Sequence, residues 1–378
     1  MKRPSARPEA RRPAPPSPLC IRRTATACGA ALLSLLALPP ALAEPVFTAS
    51  MLALPVSATG ARAFGLSGGV VVGQVTGSDG TPHAVMWATP ATPQLLNTGP
   101  FESTAWGISG NTIAGTRSHA ASPTNYEALR IEGGTASVLG DAGGGAAARA
   151  AAAQYVAGSV DLGAFVFNGS QLQVFDAPGA VAHGVNALGT AVGQNAAGLP
   201  VAFNGALAGF IDVLGSAGDA TGSALAVLGD QVVGFFDDPE TFQQVAFLSR
   251  LGIAGGTRLF AGSAFGLNAA GSVVGADFDA GRAMLYFEGR SYDLNQLVGS
   301  GLGGFTLTQA RAIDDEGRIV AFGVDAQGHE RAFLLSPAST DPDPDPDPDP
   351  DPGPNGVPSP ATLALVISAL SLLRLRRK

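Results

Sequence analysis

Four histidines, His83, His119, His183 and His329, are the side chains of widest chemical range in this 378-residue chain. An imidazole can act as base, acid or metal ligand. Their spacing supports none of these: there is no HExxH pair, no clustered His and no Cys pair to complete a zinc site. His83 opens a short element that recurs along the chain, His183 lies inside another, and His329 just precedes Arg331-Ala332-Phe333. Residues placed by a repeat point to scaffold. The two cysteines, Cys20 and Cys28, both fall before residue 44, in a segment expected to be removed. No GxSxG elbow or phosphate loop occurs, and Gly143-Gly144-Gly145 lacks a strand-to-helix context. No catalytic residue is assigned.

Carboxylates cluster at Asp237-Asp238-Pro239-Glu240, Asp277-Phe278-Asp279 and Asp314-Asp315-Glu316. Several on one loop could hold a hard cation, so Ca²⁺ is the cofactor this pattern allows. None matches a twelve-residue calcium loop, turns favour Asp in any case, and no metal ligand is assigned. Trp87, Trp106, Tyr126, Tyr155, Phe165 and Phe167 could stack on sugar rings, but their strand-like contexts favour core packing. Residues 44–340 hold eleven Arg, no Lys and twenty-three acids, a charge of −12 with no basic patch. That balance argues against a nucleic-acid partner.

The elements that would position these residues form a repeat. With 51 Gly and 14% charged residues, the composition excludes a helical bundle, and the Gly has no three-residue period. A first element recurs as Ala63-Phe64-Gly65-Leu66-Ser67, Ala105-Trp106-Gly107-Ile108-Ser109, Ala182-His183-Gly184-Val185-Asn186, Ala264-Phe265-Gly266-Leu267-Asn268 and Ala310-Arg311-Ala312-Ile313-Asp314. A second, β-rich run ends at Gly73, Gly115, Gly158, Gly193, Gly234, Gly275 and Ala321. A third carries His83-Ala84-Val85-Met86-Trp87 and ends the series with Arg331-Ala332-Phe333-Leu334-Leu335. Looser fourth elements include Gln94-Leu95-Leu96 and Ile211-Asp212-Val213-Leu214. In unit three, Asp141 and an Ala-rich run to Ala153 replace the first element, which predicts a distorted strand there.

Four short strands in about 42 residues is the period of a propeller blade. Seven units fit residues 45–337, and the seventh lacks its fourth strand. A spare strand, Val46 to Leu52, stands at the opposite end. The expected fold is an all-β, seven-bladed β-propeller closed by this N-terminal strand; a linear β-solenoid is the alternative. The units resemble HAF repeats, with Gly266-Leu267-Asn268 and Gly271-Ser272-Val273-Val274-Gly275 as the closest copy, and that resemblance implies no catalytic role.

The two ends read as addresses. Residues 1–43 form a signal peptide: a basic stretch, an apolar run from about Ala25 to Leu38, and a small-residue cleavage site at Ala41 and Ala43 before Glu44. Residues 44–340 form the repeat domain, and 341–356 an Asp-Pro linker expected to be extended and self-repelling. Residues 357–378 hold Val357-Pro358-Ser359-Pro360, an apolar run predicted as a transmembrane helix, and a basic end with Arg374, Arg376, Arg377 and Lys378. This ordered trio resembles the PEP-CTERM sorting signal, with Ser359 in place of the usual Glu. The resemblance implies an exosortase-type processing protease and an exopolysaccharide-producing Gram-negative host. The expectation is therefore an exported, surface-sorted, non-catalytic monomer associated with extracellular matrix or exopolysaccharide. Its C-terminal helix would occupy the inner membrane before processing. The alternative is a propeller-type glycoside hydrolase or polysaccharide lyase.

Overall fold

The computed structural model describes residues 44–338 except 120–121, 141–144, 176–177, 205–206 and 216–219. The cleavage residues Ala41 and Ala43, the sorting motif Val357 to Pro360, the linker and the predicted membrane helix lie outside the described residues. Glu44 is described and exposed. Among the described residues no helix is long and apolar enough to cross a membrane.

The described residues open with β1 (Phe47–Met51) and then build blades in order. Blade one is β2 (Ala58–Ser67), β3 (Val70–Gly77), β4 (Pro82–Trp87) and β5 (Pro93–Leu95). Blade two is β6 (Ser103–Ser109), β7 (Thr112–His119), β8 (Ser122–Glu132) and β9 (Thr135–Gly140). Blade three is β10 (Ala147–Ala152), β11 (Tyr155–Val160), β12 (Gly163–Phe167) and β13 (Leu172–Val174). Blade four is β14 (Val181–Val185), β15 (Ala191–Gln194), β16 (Pro200–Asn204) and β17 (Leu207–Phe210). Blade five is β18 (Gly222–Leu228), β19 (Gln231–Asp237), β20 (Gln244–Arg250) and β21 (Gly256–Ala261). Blade six is β22 (Ser263–Leu267), β23 (Val273–Asp277), β24 (Arg282–Phe287) and β25 (Arg290–Asp293), followed by a single helical turn, α1 (Leu294–Leu297). Blade seven takes β26 (Val298–Ser300), β27 (Thr306–Ile313), β28 (Ile319–Val324) and β29 (Glu330–Pro337).

Among the described residues these strands form seven sheets, six of four strands in sequential order and one ordered β26-β1-β29-β28-β27. The first strand of the chain therefore completes the last blade. It pairs antiparallel with β29 from Phe47↔Pro337 to Met51↔Phe333, as the spare strand at the N-terminus predicts. The fold is a closed seven-bladed β-propeller, and the solenoid alternative is excluded. Beyond the expected closure, β26 adds a parallel fifth strand outside β1.

Both faces of each blade are covered, which is why its strands read as runs of Val, Ala and Phe rather than strict alternation. One apolar cluster sits at each interface between neighbouring blades. Val72 and Ala84 meet Ile113 and Leu129, Ala114 and Ala128 meet Val156 and Phe165, and so on around the ring. The ring closes where Val320 and Phe322 of blade seven pack with Ala63 and Trp87 of blade one. The repeated third element supplies this packing: Trp87, Phe165, Phe203, Phe247 and Phe333 are fully buried. Trp87 also donates its indole N–H to the Ala53 carbonyl at 2.7 Å.

The first element carries the ring geometry. In β2, β6, β10, β14, β18, β22 and β27 the pairing register slips by one residue immediately after a buried Ala, leaving one extra residue as a β-bulge. The extra residues are Phe64, Trp106, Arg149, His183, Leu225, Phe265 and Arg311. Opposite each bulge the second strand must offer almost no side chain. A Cβ on Gly158 or Gly193 would stand 1.8 Å from the carbonyl oxygen of Ala147 or Val181. The residue after the bulge is small for a different reason: a Cβ at Gly65 would lie 3.1 Å from the Gly107 Cα of the next blade, and one at Gly266 3.0 Å from the Ala312 Cα. The polar residue that ends the element fastens the next blade. Ser67 and Ser109 accept from the backbone N–H of Gly110 and Ala153, and Asn186 and Asn268 donate to the carbonyls of Gly229 and Asp314.

Two expectations change. The Ala-rich run of unit three forms a first strand, β10, with its bulge at Arg149 after the buried Ala148, as in the other blades, so it is not distorted; Asp141 to Gly144 lie outside the described residues. The fourth strand of unit four lies at β17 (Leu207–Phe210), ahead of the anticipated Ile211 to Leu214, where Ile211 and Val213 are buried.

Candidate functional site

A bulge residue leaves the ladder and its side chain leans out of the sheet plane. Because each bulge sits on the innermost strand, the seven extra residues converge on the axis. Phe64, Trp106, Arg149, His183, Leu225, Phe265 and Arg311 line two cavities at once, one on each side of them, and so form a waist in the channel. One side is an apolar well of about 210 Å³ framed by Gly65, Leu66, Ile108, Val185, Leu267 and their equivalents. The other is a larger mouth of about 480 Å³, where Arg62, Gln74, Gln309 and Phe322 join the waist.

The polar mouth is cationic and aromatic. Arg311 lays its guanidinium over the Phe265 ring at 3.9 Å and lies 5.5 Å from that of Phe64, which itself packs against Trp106 at 4.7 Å. Such stacking occupies a guanidinium face and leaves its in-plane donors available. Its nearest polar contact is the Gln309 Oε1, at 3.5 Å. Burial, then the Arg62 charge, pushes Arg311 down to about 10, still cationic at neutral pH. Burial likewise lowers Arg149, whose Nε is enclosed without a hydrogen-bond partner among the described residues. Arg62 differs, because Glu330 takes its Nε at 2.8 Å and neutralises it.

His183 sits in the same waist. Burial foremost, then the charges of Arg149 and Arg311, push its imidazole down to about 3, so it is neutral at physiological pH. The unfolded chain takes up this proton near pH 6.5 and the folded chain only near 3. Between those values the unfolded state binds more protons, and stability falls as pH falls. His183→Gln should therefore lose less stability than the parent between pH 7 and pH 4, by on the order of 2 kcal/mol in urea unfolding. Equal acid losses in the two proteins would refute a neutral buried His183.

A third cavity, of about 330 Å³, shares Trp106 and Arg149 with the mouth and runs between blades two and three, past Glu102, Thr116, Tyr126 and Ser159. Trp106 donates its indole N–H to the Thr116 Oγ1 at 3.0 Å, which fixes the ring at this junction. The Tyr126 hydroxyl donates to Glu102 at 3.2 Å.

The sequence-based reading divides against this geometry. Trp87 and Phe165 are core, as expected. Trp106 and Tyr126 instead face the mouth and its groove, and His183, expected as scaffold, lines the waist. His83, His119 and His329 do not line the mouth or the groove; His329 pairs with Asp325 at 2.8 Å. Arg149, Arg311 and Phe265 went unassigned; the varying residue after the Ala of the first element marks Phe265 and Arg311, whereas Arg149 lies in the Ala-rich run where that element is not recognisable. The acidic clusters are structural: Asp238 receives Arg258, Asp277 caps its own turn, and Asp314 receives Arg318. Among the described residues no group of three or more His, Asp or Glu could hold a metal ion. No carboxylate lines the polar mouth and one, Glu102, lines the groove, so the described lining residues do not present the carboxylate pair that glycoside hydrolysis needs.

No protein-family model matches the chain, and no curated relative does. Similar solved structures include a puromycin-hydrolysing peptidase of Mycobacterium tuberculosis, at 11% identity and a TM-score of 0.47 over 78% of this chain. This chain spans 56% of that peptidase. The β-propeller domain of the Trilobed protease from Pyrococcus furiosus, described as having an open velcro topology, matches 74% of this chain and 94% of its own at 10% identity and a TM-score of 0.47. TolB from Acinetobacter baumannii matches 71% and 64% at 11% identity and a TM-score of 0.36. None is close enough to bring an activity to this chain.

Proposed function

We propose that this protein is an exported, surface-sorted propeller that binds extracellular polysaccharide at the polar mouth of its channel without cleaving it. The observation that carries the binding part is the mouth itself: aromatic rings and guanidinium groups converge there, and no carboxylate is among the described lining residues. Aromatic faces suit sugar rings, and guanidinium donors suit their oxygens. The export part rests on the sequence of the two ends. An export signal at 1–43 would be cut before Glu44, and an exosortase-type protease would act at the Val357-Pro358-Ser359-Pro360 motif of a Gram-negative cell. The apolar run at 361–373 would hold the precursor in the inner membrane until then, and the processed chain would work as a monomer in the matrix.

Intact mass of the cell-surface or released form tests the address: loss of residues 1–43 and 361–378 is expected, and retention of 361–378 contradicts the sorting reading. Incubation with the host's exopolysaccharide tests the activity. Retention on the polymer without release of new reducing or unsaturated ends is expected, and turnover would favour the hydrolase or lyase reading.

A further inference from the structure

Seven of the eleven arginines in residues 44–340 meet a carboxylate, while Arg290 is exposed to solvent and Arg331 donates to the Thr59 and Glu330 carbonyls. Arg62, Arg117, Arg250, Arg258, Arg282 and Arg318 each meet a carboxylate within 3.1 Å, and Arg130 meets Glu132. Arg149 and Arg311 have no ion partner among the described residues, although residues 44–340 carry twenty-three acids. Placing a guanidinium in a half-enclosed site without an acid is unfavourable unless a ligand supplies the opposite charge. Arg149, Arg311 and His183 line the same mouth of about 480 Å³.

We propose that the polar mouth takes a carboxylate-bearing sugar residue, a uronate, whose carboxylate is held by Arg149 and Arg311 while its ring packs against Trp106 and the neighbouring aromatic wall. This rests on the polysaccharide-binding reading and names the ligand class. A carboxylate matches the guanidinium fork in a planar, bidentate way. The stacking on Phe265 holds the Arg311 plane in place, so less side-chain entropy is lost on binding. The groove sharing Trp106 and Arg149 takes the adjoining sugar. Glu102 in that groove repels a second carboxylate, so the adjoining sugar is neutral.

Calorimetry on the purified full-length chain, with cellobiouronic acid against cellobiose as probes, tests this. The acid should bind at least about tenfold more tightly than cellobiose, the scale of a charge-assisted hydrogen bond. Arg149→Gln and Arg311→Gln should each weaken the acid about tenfold and weaken cellobiose distinctly less, so that the preference for the acid shrinks. Near-UV circular dichroism verifies folding, and if either Gln variant fails to fold, the corresponding Lys variant, which keeps charge but loses the fork, should show a smaller loss of the same sign. Equal affinity for the two sugars, or unchanged acid affinity in both arginine variants, overturns the assignment. Displacement of the acid by an equal concentration of inorganic phosphate overturns it too, because it would mean a simple anion site. Binding of both sugars without preference defeats the uronate alone; binding of neither, with normal export, defeats the polysaccharide reading as well.

Discussion

Removal of residues 45–52 is expected to unfold the whole ring, not one blade. The strand they contain supplies five consecutive pairs to β29 and also carries β26 on its outer side. Phe47 and Ala49 are buried in the cluster between blades six and seven, and Leu52 in the one between blades seven and one. Deletion therefore opens two interfaces together and bares the edge of β29. The lost burial amounts to several kcal/mol, against a total stability of about 5–15 kcal/mol for a folded domain. Hydrogen exchange on the truncated chain should show protection falling in all blades, and a peptide of residues 45–52 added in excess should restore it. Protection lost in blade seven alone would mean that the blades are stable separately and that the ring adds little.

Gly193→Ala should be strongly destabilising for the addition of a single methyl group. Its Cβ would sit 1.8 Å from the Val181 carbonyl oxygen and 2.9 Å from the Ala182 Cα, both backbone atoms that cannot rotate away. Relief requires β14 and β15 to separate beside the His183 bulge, at a cost of about 3 kcal/mol or more. Gly209 is the control, since it lies in β17 with nothing within 4 Å of an added Cβ. Gly209→Ala should be neutral to slightly stabilising, within about 0.5 kcal/mol, because it restricts the unfolded chain. Urea unfolding of the two variants against the parent gives the comparison, and comparable small effects would contradict the close approach.

These two residues also show what was legible beforehand. Gly193 belongs to the most regular feature of the sequence, the Gly that ends the second element of the units, and the structure assigns it a reason: it faces a bulge. The Asn and Ser that end the first element were equally visible, but their reach to the next blade was not, since Asn186 and Gly229 lie 43 residues apart and meet only once two blades are stacked. Arg149 was hidden by its surroundings. Flanked by alanines in β10, it breaks the Gly-containing pattern of its counterparts, and only the shared bulge register assigns it to the waist.

From the residues alone followed the four-strand unit, its sevenfold recurrence, the missing strand in the last unit and the spare one at the start. Those are determined by local hydrogen bonding, turn chemistry and side-chain period, which act within a few residues and repeat wherever the pattern repeats. The tertiary structure decided which repeated position carries chemistry. Seven bulges are unremarkable one at a time, spaced about one unit apart along the chain. Closure turns that spacing into rotation about an axis, and residues as distant as Arg149 and Arg311 come to line one cavity. No carboxylate is among the described residues that line it with them.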